Sequence, residues 1–202
     1  MADLYRSGVL DRSLWSYNTR CTIDDDERDN PLELDSVTGW RDAVTDFVSH
    51  GPYFCDSDDD QSHNDHRRVP INLYRDSYCH LVIETLFDAD QSGGAFLTEK
   101  TYKAIKFGQP FVIIGTAHSL ATLRQQGYRT FDHAIDNSYD EITNNTQRWL
   151  AVRNSILKIQ SQDMHEWFLK CLPDVKHNQQ IFMDAQGSSL NKLQRELSCT
   201  IS

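Results

Sequence analysis

"CHLVIETLFDADQSGGAFLTEKTYKAIKFGQPFVIIG", residues Cys79 to Gly115, holds two short apolar runs joined by a polar, glycine-bearing loop and a stretch of helical character. The first run, Cys79 to Phe87, has the apolar, β-branched make-up of a buried strand, and Gln109 to Gly115 is a second of the same kind. Between them Thr98 stands at an N-cap position, Glu99 falls in the first helical turn, and Gly108 lies where a helix would stop. Downstream, Ser119 to Gly127 carries Leu120, Leu123 and Arg124 at helical spacing, and Tyr128 to Phe131 predicts a third short strand. The order strand, helix, strand, helix, strand with short connections predicts a layered α/β fold on a parallel sheet.

The flanks divide the chain into three expected regions. Residues 1–70 read as an irregular N-terminal segment with acidic loops, interrupted at Pro31, Gly39, Gly51, Pro52 and Pro70, with short helices around Ala2 to Gly8 and Trp40 to Ser49. Residues 71–183 are expected to form the α/β domain with C-terminal helices. In it, Tyr139 to Gln162 predicts a long amphipathic helix bearing Ile142, Trp149, Val152, Ile156 and Ile159, and Met164 to Leu172 a second one ending near Pro173. Residues 184–202 read as a polar tail.

Composition narrows the function classes. Twenty Lys and Arg against thirty Asp and Glu give a net charge of -10 over 202 residues, and much of the acid sits in Ile23 to Asp29 and Cys55 to Asp60. Such a surface repels duplex DNA and anionic lipid unless a basic patch overrides it, and the sequence contains none of that size. No run approaches the roughly 20 apolar residues that span a bilayer, and the N-terminus lacks the pattern of a signal peptide, so a cytoplasmic chain is expected. The cysteines Cys21, Cys55, Cys79, Cys171 and Cys199 are scattered and odd in number, which predicts reduced thiols rather than a disulfide framework or a zinc ribbon.

In open parallel sheets, ligands sit beyond the carboxyl ends of the strands, where helix N-termini offer free N–H groups and a positive dipole end. The loop Asp88 to Leu97 delivers Thr98, Glu99 and Lys100 to such a position. Lys100 would add charge for a diphosphate, and Glu99 would accept hydrogen bonds from vicinal ribose hydroxyls. The same residues are equally read as a cap with an i,i+4 ion pair between Glu99 and Lys103, worth about 0.2–0.5 kcal/mol. The pattern alone leaves both readings open.

A wider pattern bears on that choice. The segment Ile83 to Gly115 resembles the donor-binding segment of α-1,3-fucosyltransferases, in which a strand ending in glutamate precedes an aromatic-x-Thr-Glu-Lys helix start and a Pro-apolar strand. It is more similar still to uncharacterised fucosyltransferase-like glycosyltransferases of viral and marine microbial genomes, with counterparts of Thr122 to Asp132 and Asp136 to Ile142. The similarity spans about Val69 to Arg148. It implies one Rossmann-like half of a GT-B fold, binding a nucleotide-diphosphate sugar such as GDP-fucose with no obligatory metal or other cofactor.

By position, the resemblance puts Glu99 on the ribose hydroxyls, Lys100 on the diphosphate, Glu84 near the transferred sugar and Phe96 in a slot usually held by tyrosine. The full donor-binding set expected is Glu84, Phe96, Thr98, Glu99, Lys100, Gly115 and His118; catalytic residues are unassigned. Family members also carry a basic residue ahead of this segment, for which Arg6, Arg12 and Arg75 are unresolved substitutes, and an N-terminal half that recognises a glycan or other hydroxyl acceptor and supplies the base. The chain starts too late to contain that half, so a separate partner half and weak or absent activity in isolation are expected. A non-catalytic nucleotide-binding or protein-interaction module on the same fold is the alternative.

Other motifs carry two readings each. "DSDDD" (Asp56 to Asp60) invites comparison with an Asp-x-Asp metal site, yet no apolar strand precedes it and like-charge runs are usually solvated. His63 and His66 with Asp65 have zinc-ligand spacing only on a helix, which their polar context does not predict. No metal site is therefore expected. His118 follows the second strand within reach of a ligand, or else Thr116 or His118 caps the next helix. Asp140 is expected to start a helix, and Tyr139 to pack.

Overall fold

A computed structural model describes residues 1–15, 39–51, 71–88 and 94–200, without the side chains of Trp40 and of residues beyond 187. The chain order is α1 (Ala2–Arg6), a 3-10 turn (Leu10–Arg12), α2 (Trp40–Ser49), α3 (Ile71–Arg75) and β1 (His80–Ile83). Then come α4 (Glu99–Lys106), β2 (Phe111–Ile114), α5 (Ser119–Gln125), a 3-10 turn (Ser138–Glu141), α6 (Asn145–Gln160) and α7 (Met164–Thr200). The fold is mixed α/β.

β1 and β2 pair in parallel, with His80 opposite Phe111 and Ile83 opposite Ile114. All four residues of β2 are buried, which explains its unbroken apolar run. β1 is less enclosed: Val82 is buried and Ile83 is 46% exposed. α4 connects the strands and packs on both of them and on α7, while α6 packs on β2. Both predicted strands are thus present, shorter than expected.

The expected third strand does not form. Tyr128 to Phe131 is irregular, and the described sheet has two strands. The buried Asn178 of α7 takes the part of a neighbouring strand: its Oδ1 accepts from Arg129 N at 2.7 Å and its Nδ2 donates to Arg129 O at 2.8 Å. Phe131, fully buried against Phe111, then turns into the left-handed region at φ 62°, ending the extended run. An Asn178→Leu exchange should strand both groups of Arg129, and we expect a loss of about 1–2 kcal/mol, read as a lower urea midpoint with unchanged slope.

The C-terminal helices differ from expectation in their bounds. α6 begins at Asn145, because the Asn144 side chain accepts from Gln147 N at 2.9 Å, and Tyr139 to Thr143 stays outside the helix. Its buried stripe is Arg148, Val152, Ser155, Ile156 and Ile159. α7 runs through Pro173 and the expected tail to Thr200. Pro173 lies on the exposed side, while Trp167, Cys171, Val175 and Asn178 are buried on the other, so packing holds the helix together across the missing N–H.

The described part of the N-terminal segment joins the core through Leu4, Val9, Leu10 and Phe47. Asp3 Oδ2 accepts from Trp149 Nε1 at 2.9 Å, and Gln160 Nε2 donates to Val9 O at 2.8 Å. Cys79 is half-buried and Cys171 buried, both as free thiols, and burial pushes each up to about 12. No helix among the described residues is long and apolar enough to cross a membrane.

Candidate functional site

Glu84 is the residue after β1, and its N–H donates to Ile114 O at 3.0 Å, extending the strand pairing by one step. This brings the ends of the two strands, Glu84 and Gly115, side by side. A Cβ on Gly115 would sit 3.2 Å from Ile113 Cγ2 and 3.3 Å from Glu84 Cβ, so the approach depends on glycine.

Glu84 is 6% exposed, and its carboxylate is turned toward the start of α4. Oε1 accepts from Thr98 N at 3.0 Å and from Thr101 Oγ1 at 2.7 Å, and Oε2 accepts from Thr98 Oγ1 at 2.5 Å. Thr98 is also the N-cap of α4, accepting from Lys100 N at 3.4 Å. Three donors from one helix start thus hold the carboxylate, and its negative charge complements the positive end of that helix. A glutamine keeping its oxygen at the Oε1 position would turn an NH2 toward the Thr98 hydroxyl that donates to Oε2. For Glu84→Gln we expect a destabilisation of about 1–2 kcal/mol, measured by chemical denaturation.

Lys100 is half-buried and donates from Nζ to Thr85 Oγ1 at 2.8 Å, tying the first turn of α4 to the loop leaving β1. Glu99 is exposed on the same turn. Phe96 is 40% exposed, and its N–H donates to Thr116 Oγ1 at 3.1 Å, which anchors the loop before α4 to the loop after β2. Glu84, Thr98, Lys100 and Gly115 are therefore gathered at the strand ends, with Phe96 linked to them through Thr116.

His118 is exposed, in the left-handed region at φ 65°, and its N–H donates to Asp140 O at 2.8 Å. Neither Thr116 nor His118 caps α5 through its side chain. Asp140, 2% exposed, does so from 20 residues away: Oδ1 accepts from Leu120 N and Oδ2 from Ala121 N, both at 2.9 Å. In place of the expected role at the start of its own helix, Asp140 serves a neighbouring one. Tyr139 packs as expected, at 2% exposure, with its hydroxyl accepting from Ile113 N at 3.4 Å; burial raises its phenol well above the ordinary range.

The residue that sequence reading missed is Arg148. It is 1% exposed, and all five of its N–H groups are used. Nε donates to Gly115 O at 3.2 Å, one terminal nitrogen to Ile142 O at 2.8 Å and Thr143 O at 3.0 Å, and the other to Phe87 O and to Asn145 Oδ1 at 2.6 Å. The guanidinium also lies 4.4 Å from the centre of the Phe87 ring. Desolvation lowers its pKa, opposed by Asp88 and Asp140. The available signal was a charged residue at a position of α6 that shares the periodicity of Val152, Ile156 and Ile159.

Of the arginines considered as a substitute cation, Arg6 donates to Gly39 O at 3.5 Å, Arg75 pairs with Asp76 at 2.8 Å, and Arg12 lines a cleft with Leu10 and Trp15. Those contacts involve none of the candidate residues. The acidic runs Ile23 to Asp29 and Cys55 to Asp60, and the pair His63 and His66, lie outside the described residues. Among the described residues no group of three or more His, Cys, Asp or Glu side chains is gathered as a metal would require.

Comparison of the chain with protein-family models, with curated proteins and with solved structures gave no match.

Proposed function

We propose that this chain is the donor-binding half of a GT-B-like glycosyltransferase, on a Rossmann-like unit, and binds a nucleotide-diphosphate sugar of the GDP-sugar kind. The observation that carries the reading is the pairing of Lys100 and the exposed Glu99 on the first turn of α4, directly beyond the ends of two parallel strands. A cation and a carboxylate adjacent in that position suit a diphosphate and a ribose diol respectively. The acceptor oxygen would form its bond to the anomeric carbon as the bond to the diphosphate breaks, with Lys100 stabilising the departing charge and a base supplied by a partner half taking the acceptor proton.

A second reading, a module that binds nucleotide without turnover, is favoured by the internal use of Glu84. Its carboxylate is committed to Thr98 and Thr101. One set of measurements tests the nucleotide site that both readings share. Calorimetric titration of the full chain should show GDP or UDP binding below millimolar concentration, and Lys100→Ala and Glu99→Ala should each weaken it about tenfold, equivalent to about 1.4 kcal/mol. Absence of binding by either nucleotide at millimolar concentration removes both readings. Release of nucleoside diphosphate from its sugar conjugate in the presence of a hydroxyl acceptor supports the first, whereas binding without release is expected of both in the isolated chain.

A further inference from the structure

We draw no further inference here: the strongest candidate, the apolar cleft of about 680 Å³ between α1, β1 and α6 that Leu10, Trp15, Tyr78, Leu81, Ile83 and Met164 help to line, carries none because nothing among the described residues shows what covers it.

Discussion

Arg148→Met should destabilise the protein by about 3–5 kcal/mol, the largest effect expected of any exchange near the candidate site. Methionine fills much of the space but donates nothing. The carbonyls of Phe87, Gly115, Ile142 and Thr143 and the amide oxygen of Asn145 all lose a donor, Gly115 O in a buried setting and the others in a part-buried one. Each stranded acceptor costs about 1–3 kcal/mol when it stays dry, and local relaxation recovers part of the sum. Arg148→Lys should recover only a fraction, because three donors on a point charge cannot span five acceptors held in a planar fork. The measurement is the urea midpoint of the three proteins at neutral pH. A loss under about 1 kcal/mol for Arg148→Met would show that the loops close without their guanidinium.

Acidification from pH 7.5 to 4.5 should cost the native state on the order of 2–3 kcal/mol through His80 alone. Burial, with Lys103 nearby as the smaller cause, pushes this imidazole from 6.5 down to about 4. The side chain is stacked on Tyr74 at 5.2 Å between ring centres. Between those two values the unfolded chain binds a proton that the folded chain refuses. Stability is therefore fully present above pH 6.5, falls as pH drops through the window from 6.5 to about 4, and levels off below it. His80→Phe retains the stacking and removes the titration. Subtracting its pH profile from that of the parent protein isolates the effect from the other histidines and the carboxylates. Parallel profiles across the window would refute the assignment.

Much of the α/β unit could be read from the sequence because its signals are local. The two β-branched runs, the Thr98 cap and the intervening helical stretch each report on a few neighbouring residues, and both strands and α4 lie where they were expected. The third strand failed for a reason that no local signal carries. Tyr128 to Phe131 has strand composition, yet its partner is an asparagine 49 residues downstream from Arg129. Pro173 misled in the opposite sense, since its steric rule is local and the packing of Trp167, Cys171 and Val175 that overrides it is not.

The site shows the same division. The loop leaving the first strand pointed to Thr98 and Lys100, and the family resemblance added Glu84 to a candidate set that also held Gly115; these four come together. The sequence did not reveal that Glu84 would be spent on Thr98 and Thr101, or that Asp140 would cap α5 rather than its own helix. Both contacts join residues at least 14 apart whose types suit several local roles equally well. Arg148 was passed over because a charge on an amphipathic helix is ordinarily assigned to the solvent side.

The positive ends of α4 and α5 are both served by carboxylates of the chain itself, Glu84 and Asp140. A nucleotide bound as proposed would have no orphaned charge to rescue at either end. Ligand addition should accordingly raise the melting temperature by mass action alone, following RT ln(1 + [L]/Kd), with about 2.7 kcal/mol gained only when the free ligand reaches a hundred times its dissociation constant. The free and loaded proteins would then differ in occupancy and hardly at all in architecture.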